Sequence, residues 1–162
     1  MKERKYDRKS AVEYAQKWAF KRNPKYYNFD SVGGDCTSFV SQCIYAGSKI
    51  MNYKKHIGWY YNSSNDRSPS WSGVEYLYNF LTTNKSVGPI AKISNKNAIQ
   101  KGDIIQLKFV GKNQFSHSLL VVDRKETEIY VATHTEDSYY RALTSYNFEK
   151  IRFLHIEKVL VW

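Results

Sequence analysis

Apolar residues in the first part of the chain recur with the period of an α-helix. One helix is predicted from about Asp7, which is suited to cap it, to about Phe20. Its apolar face contains five residues: Ala11, Val12, Ala15, Trp18 and Ala19. A stripe of this kind is what a helix buries against the body of a protein.

A second helix is predicted after Gly33 and Gly34, which break the chain before Asp35. Asp35 is the predicted N-cap, and Gly47 is the predicted stop at the other end. The apolar face of this helix contains Cys36, Phe39, Val40, Cys43 and Ile44. The same periodic pattern predicts that this helix is buried against a sheet.

The rest of the chain predicts one more helix and then a series of strands. The helix begins near Ser72, because Ser72 and Glu75 have the spacing of a capping box. Helices followed by consecutive strands predict an α+β fold with an antiparallel sheet. We expect residues 1–162 to form a single domain, because no linker composition divides them. The predicted strands are Asp103–Val110, His117–Asp123, Glu128–His134 and Arg152–Val161.

The size and composition of the chain narrow the classes of protein to consider. Its 162 residues suit one domain, and 42% hydrophobic with 25% charged residues excludes a disordered chain. The longest apolar runs are far shorter than the ~20 residues of a membrane-spanning helix, so we expect no transmembrane segment. No signal peptide is visible, although the charged start would suit a domain of a longer secreted protein.

Cys36 carries the strongest chemical signal, because it lies in the first turn of the second predicted helix. The partial positive charge of a helix N-terminus stabilises a thiolate and lowers the pKa of the thiol. Cys36 and Cys43 lie about 10 Å apart along one helix, too far for a disulfide, so both are predicted to be free. The alternative for Cys36, and our interpretation of Cys43, is an ordinary core residue.

Two histidines could assist this thiol. His117 begins a predicted strand, where it could lie over the start of a neighbouring helix and accept a proton from Cys36. His134 ends the next strand, and an antiparallel hairpin would bring it close to His117 as the group that orients its ring. A purely structural role is the alternative for both histidines.

Several segments resemble those of one group of enzymes. Gly33–Gln42 resembles the nucleophile segment of bacterial papain-like cell-wall amidases and endopeptidases of the NlpC and CHAP families. Lys101–Ile105 and Ser116–Val122 resemble their Gly-Asp strand and the strand with their catalytic histidine. Over nearly its whole length the chain is identified as a member of the putative amidase domain family. The further motifs are Tyr6-Asp7-Arg8, Arg22-Asn23-Pro24 with Tyr26, and His134-Thr135 with Asp137.

The resemblance implies a papain-like α+β fold, with N-terminal helices packed on an antiparallel sheet, and cysteine hydrolase chemistry. The Cys36 thiolate, paired with His117, would attack an amide carbonyl, and water would hydrolyse the resulting thioester. His134 would be the third catalytic residue, with Asp137 as its substitute. Tyr27 would stabilise the oxyanion together with the backbone N–H of Cys36.

The resemblance also implies where a substrate would bind. Trp59 and Trp71 lie where the substrate groove of the family would have its walls, with core packing as the alternative. The implied substrate is peptidoglycan or a wall-linked peptide, and the implied location is extracellular or cell-wall associated, as a monomer. Neither HExxH nor CxxC occurs, so we expect no metal or cofactor.

The charge of the chain favours one class of partner without identifying it. Lys plus Arg number 25 against 15 Asp plus Glu, which gives a net charge of +10. Nucleic acid is permitted but not indicated, because no recognised nucleic-acid motif occurs. With the resemblance, an anionic cell-wall polymer becomes the expected partner. Two alternatives remain: a catalytically silent cell-wall or protein-binding module on the same fold, and a thiol-dependent protease or transglutaminase-like acyltransferase.

Overall fold

The computed structural model describes residues 1–162 and combines four helices with an antiparallel sheet. The helices are α1 (Arg8–Trp18), α2 (Cys36–Ser48), α3 (Pro69–Ser72) and α4 (Val74–Thr83). The strands are β1 (Lys2–Arg4), β2 (Tyr61–Ser63), β3 (Asp66–Arg67), β4 (Gly88–Ser94), β5 (Ile104–Phe109), β6 (His117–Lys125), β7 (Glu128–Thr133), β8 (Ser138–Ala142) and β9 (Phe148–Val161). No helix is both long and apolar enough to cross a membrane.

The first two predicted helices are confirmed, with one correction at the end of α2. Asp7 caps α1, since its Oδ1 accepts a hydrogen bond of 3.0 Å from the backbone N–H of Ser10. Helix α2 continues through Gly47 and ends at Lys49, which has a left-handed φ of 55°. Gly47 is needed for another reason: a Cβ there would lie 2.5 Å from the ring of Tyr6.

The third predicted helix forms in two pieces, and its predicted capping box is wrong. Gly73 separates α3 from α4, and no side chain caps the start of α4. The two residues of the predicted box have other partners: Ser72 Oγ accepts a hydrogen bond from Arg67, and Glu75 forms an ion pair with Arg152. Packing against neighbouring segments therefore overrides the local signal.

The sheet has seven strands in the order β1-β9-β5-β6-β7-β8, with β4 also paired to β9, and all pairings are antiparallel. Strand β9 pairs with β5 over residues 148–154, with β4 over 153–160 and with β1 over 159–161. Strands β1, β4 and β8 were not predicted. The short strands β2 and β3 pair only with each other.

The sheet separates two apolar cores, and β6 contributes to both. Leu120 and Val122 belong to the larger core on the helix side, together with Phe39 of α2. Leu119 and Val121 belong to the smaller core on the other side. Successive side chains of a strand point to opposite faces, so the first two residues of β6 also face opposite sides of the sheet.

Candidate active site

Cys36 is the first residue of α2, and its side chain is buried, with 6% of its surface exposed. Its Sγ lies 3.8 Å from Thr37 Oγ1, and the backbone N–H of Ser118 is close enough to lower the pKa of the thiol. Burial raises the pKa of this thiol above its ordinary value, and the hydrogen bonds from Ser118 and Thr37 offset only part of that effect. The expected lowering of the pKa by the helix start is therefore outweighed, and the thiol is protonated at neutral pH.

His117 is the first residue of β6 and is buried beside two aromatic rings. The ring centroids of Phe109 and Tyr146 lie 5.6 Å and 5.9 Å from that of His117. Burial lowers the pKa of His117 to about 4, with a smaller contribution from the positive charge of Arg141. The imidazole is therefore neutral at neutral pH and able to accept a proton.

Cys36 and the side chain of His117 lie on different sides of the sheet at the start of β6. Ser118 faces α2, where its hydroxyl lies 2.9 Å from Thr37 Oγ1, whereas His117 faces the smaller core. The backbone N–H of Ser118 lowers the pKa of the Cys36 thiol, and Ser118 directly follows His117, so both candidate residues lie near the start of β6. The predicted thiolate–imidazolium pair is not formed: no hydrogen bond links the two side chains, and both groups are neutral.

A chain of buried polar groups fixes the start of β6 against α2. Ser118 Oγ lies between Thr37 Oγ1 and Gln106 Nε2, at 2.9 Å and 3.2 Å. Gln106 Nε2 also donates to the carbonyl of Val74, while Gln106 Oε1 accepts two hydrogen bonds from Arg152. Sequence reasoning missed this chain, because its members come from five separate elements.

His134 has a different role from the predicted one. Its Nδ1 lies 2.6 Å from Oδ2 of Asp35, and its Nε2 lies 2.8 Å from the carbonyl oxygen of Trp18. The ring stacks on Phe39, with centroids 4.1 Å apart. Both ring nitrogens are thus engaged away from His117, and the prediction that His134 orients His117 is wrong.

Asp35 occupies the N-cap position of α2, but its side chain does not cap the helix. Instead, Oδ1 accepts a hydrogen bond from the backbone N–H of Phe29, and Oδ2 binds His134. The nearby Arg22 lies 3.6 Å from Oδ2. Both Asp35 and His134 are only 1% exposed, so their contact is buried beneath the start of α2.

Asp137, the predicted substitute third residue, is also used elsewhere. Both of its carboxylate oxygens accept hydrogen bonds from Arg22, at 2.9 Å and 3.0 Å. Arg22 additionally pairs with Asp30 and so connects three carboxylates around the loop before α2. Asp137 makes no hydrogen bond to His117, which rules out the orienting role in this conformation.

The predicted aromatic residues of the site divide into exposed and buried ones. Tyr27 is 43% exposed, its backbone N–H donates to the hydroxyl of Tyr61, and its own hydroxyl makes no hydrogen bond. Its role as oxyanion donor stays a prediction. Trp59 and Trp71 are completely buried and lie 5.1 Å apart in the larger core, so the groove role is wrong and the core alternative holds.

A cavity of about 410 Å³ opens beside His117 on the side of the smaller core. Its walls come from the end of β5, the turn between β7 and β8, β8 itself and the segment before β9. The lining residues are Phe109, His117, Thr135, Glu136, Arg141, Ser145, Tyr146 and Asn147. Neither here nor elsewhere in the chain do three His, Cys, Asp or Glu side chains lie close enough together to hold a metal ion.

The comparison with protein families agrees with the resemblance of the site segments. The family model described as "Putative amidase domain" matches residues 5–156, which include every residue of the site described above. The chain belongs to this amidase domain family. Membership supports a hydrolase that acts on amide bonds.

One curated relative of the chain is the "Uncharacterized protein YhbB" of Bacillus subtilis (strain 168). It is 33% identical over 136 residues, which is 82% of this chain and 42% of the relative. The chain thus spans less than half of the length of that relative. No solved structure matches the chain.

Proposed function

We propose that this amidase-family domain is a cysteine hydrolase with a papain-like catalytic arrangement, which cleaves amide bonds in peptidoglycan or wall-linked peptides. The observation that carries the proposal is the placement of Cys36 at the start of a buried helix. Its sulfur lies near the backbone N–H of Ser118, the residue that directly follows His117. The backbone N–H of Cys36 lacks a partner within the helix, as at any helix start, and is a suitable oxyanion donor.

The proposed reaction begins from a neutral thiol and a neutral imidazole. Catalytic hydrogen bonds commonly tighten only when substrate binds. In the complex His117 takes the proton of Cys36 as the sulfur bonds to the amide carbonyl carbon. His117 then gives that proton to the departing amine, leaving a thioester. Water adds to the thioester, with His117 accepting its proton, and the carboxylic acid and the thiol are released.

The choice of substrate and location rests on charge as well as on family membership. The net charge of +10 favours association with an anionic polymer such as those of bacterial cell walls. An extracellular or wall-associated site of action follows from that substrate. Hydrolysis of protein substrates, or acyl transfer from them, would use the same thiol. These two reactions differ from the proposed one in the substrate that binds beside the thiol.

A catalytically silent wall-binding module is the second candidate, and one observation favours it. The thiol and imidazole are both buried and neutral, and no hydrogen bond links them. A binding module would retain the fold and the basic charge without turnover. The two candidates therefore differ in whether any covalent bond of the substrate is broken.

The test is digestion of purified bacterial peptidoglycan, with mass analysis of the soluble products and counting of new amino groups. We expect the parent protein to release products, and Cys36→Ala and His117→Gln to reduce the rate at least 100-fold, on the order expected for loss of a nucleophile or its base. Cys43→Ala is the matched control, because Cys43 is a second buried thiol of the same helix. Equal release by Cys36→Ala, or none by the folded parent, would overturn the hydrolase. Co-sedimentation with peptidoglycan but no release would identify the binding module.

A further inference from the structure

Arg141 is the cation of the cavity beside His117, and its side chain is held in place by neighbouring residues. Its Nε donates a hydrogen bond of 2.8 Å to Ser145 Oγ. The guanidinium carbon lies 3.8 Å from the centre of the Tyr146 ring, within the range of a cation–π contact. The orientation of the guanidinium is therefore fixed before any ligand arrives.

The charge of Arg141 is only loosely balanced. Its nearest carboxylate is Glu136, at 3.7 Å from Nη1, and that side chain is 84% exposed. Exposed pairs of this length contribute little stability. A guanidinium binds a carboxylate best through two parallel hydrogen bonds from adjacent nitrogens. Nε and Nη2 of Arg141 donate to Ser145, at 2.8 Å to Oγ and 3.4 Å to the carbonyl oxygen, which leaves the edge formed by Nη1 and Nη2 for a carboxylate.

The cavity adjoins His117 and reaches the loop that precedes Cys36. His117 forms part of its wall. Thr135, another wall residue, has its Oγ1 3.2 Å from the position of a Cβ on Gly34, two residues before Cys36. A volume of about 410 Å³ is within the range of small-ligand sites. A group bound there would lie next to the imidazole of His117.

We propose that this cavity is a substrate subsite in which Arg141 binds a carboxylate of an acidic peptide. The proposal rests on the proposed function, because His117 is common to both. The remaining walls suit a peptide: Phe109 and Tyr146 offer aromatic surface, while Ser145 and Asn147 offer polar groups. Glu136 at the entrance competes for the same guanidinium and so limits binding of the acidic ligand.

Binding of a carboxylate would also change His117. The charged groups that face its ring from the cavity are Arg141 on β8 and Glu136 in the preceding turn, and Tyr146 is the titratable neighbour on the third side. Arg141 disfavours the protonated form of His117. A carboxylate on Arg141 would offset that charge and raise the pKa of His117, making it a stronger base when the acidic substrate is present.

The test compares two peptides that differ by one charge. N-acetyl-alanyl-glutamyl-alanine amide and its glutamine counterpart, each with the L or D central residue, are titrated into the Cys36→Ala protein. Calorimetry gives the Kd, and the NMR signal of the His117 ring reports occupancy of the cavity. We expect at least one glutamyl peptide to bind at least 10-fold more tightly than its glutamine counterpart, with a rise in the pKa of His117.

Variants of opposite effect make the test specific. Arg141→Gln should remove the preference for glutamate, whereas Glu136→Gln should increase it. Lys96→Gln is the matched control, since it loses one positive charge on an exposed residue outside the cavity. No preference in either series, or a preference that survives Arg141→Gln, would overturn the subsite. Cys36-dependent hydrolysis without the preference would retain the proposed function alone, and the preference without hydrolysis would retain the subsite alone.

Discussion

The imidazole of His134 and the carboxylate of Asp35 form a buried contact of 2.6 Å that joins the end of β7 to the start of α2. The other ring nitrogen faces the carbonyl oxygen of Trp18, which can only accept, so Nε2 carries a hydrogen. One histidine thus connects the end of α1, the start of α2 and the end of β7, which positions Cys36 without touching it.

Removal of the Asp35 carboxylate should destabilise the fold strongly. We expect Asp35→Ala to lower the free energy of unfolding by about 3–5 kcal/mol, as for other buried charge pairs that lose one partner. Asp30→Ala is the control, because Asp30 also pairs with Arg22 but has a side chain that is 44% exposed, and we expect a loss below about 1 kcal/mol. Urea unfolding at neutral pH measures both, and similar losses would contradict the prediction.

The Cys36 thiol should react slowly at neutral pH. Burial raises its pKa, so the thiolate fraction at pH 7 is smaller than that of a free cysteine, and labelling should accelerate as the pH rises beyond about 8.5. Labelling with iodoacetamide, followed by mass spectrometry, gives the rate at each pH. Cys36→Ala should abolish the reaction, because Cys43 is completely buried. Fast labelling that is constant from pH 6 to 9 would show a preformed thiolate instead.

His117 should make the fold sensitive to mild acid. Its pKa is about 4 when folded and about 6.5 when unfolded, so the unfolded state binds more protons between these values. Stability from this group is complete above pH 6.5 and falls as the pH drops through the window, by about 3 kcal/mol between pH 7 and 4. Urea unfolding of the parent and of His117→Gln should show that this part of the pH dependence disappears in the variant. The same pH dependence of the free energy of unfolding in the parent and in His117→Gln would contradict the prediction.

Trp59 and Trp71 should respond differently to the same substitution. Both are completely buried, but Trp59 Nε1 donates a hydrogen bond of 3.1 Å to Ser41 Oγ, whereas Trp71 Nε1 has no partner. Replacement by Phe removes ring volume at either position. Only Trp59→Phe also leaves a hydroxyl without its donor, so it should cost about 1–2 kcal/mol more than Trp71→Phe. The comparison needs only the two midpoints of urea unfolding, and a larger loss for Trp71→Phe would contradict it.

The helices and strands whose apolar residues recur periodically were predictable from the sequence. Helices α1 and α2 and strands β5, β6, β7 and β9 each bury one face or a continuous run, and their apolar residues show it. Strands β1 and β4 pair with β9, which is distant from them in sequence, and β8 is a short strand at the margin of the sheet. The local pattern of apolar and polar residues does not indicate such pairing.

The candidate site was predictable to the same extent. The place of Cys36 at a helix start follows from a local signal, the break before Asp35. The alternation within β6 could also have shown that His117 and Ser118 face opposite sides. The attachment of His134 to Asp35 and Trp18 joins three segments far apart in the chain, and only the folded structure reveals it.

The long strand β9 has a consequence for synthesis. It pairs along one or other of its edges with three strands, the first of which begins at residue 2. During translation β1, β4 and β5 leave the ribosome well before the segment that hydrogen-bonds to all three of them. The sheet is therefore completed only after residues 148–161 have emerged, and until then β1, β4 and β5 have edges without this partner, the kind of edge at which strands of other chains can pair.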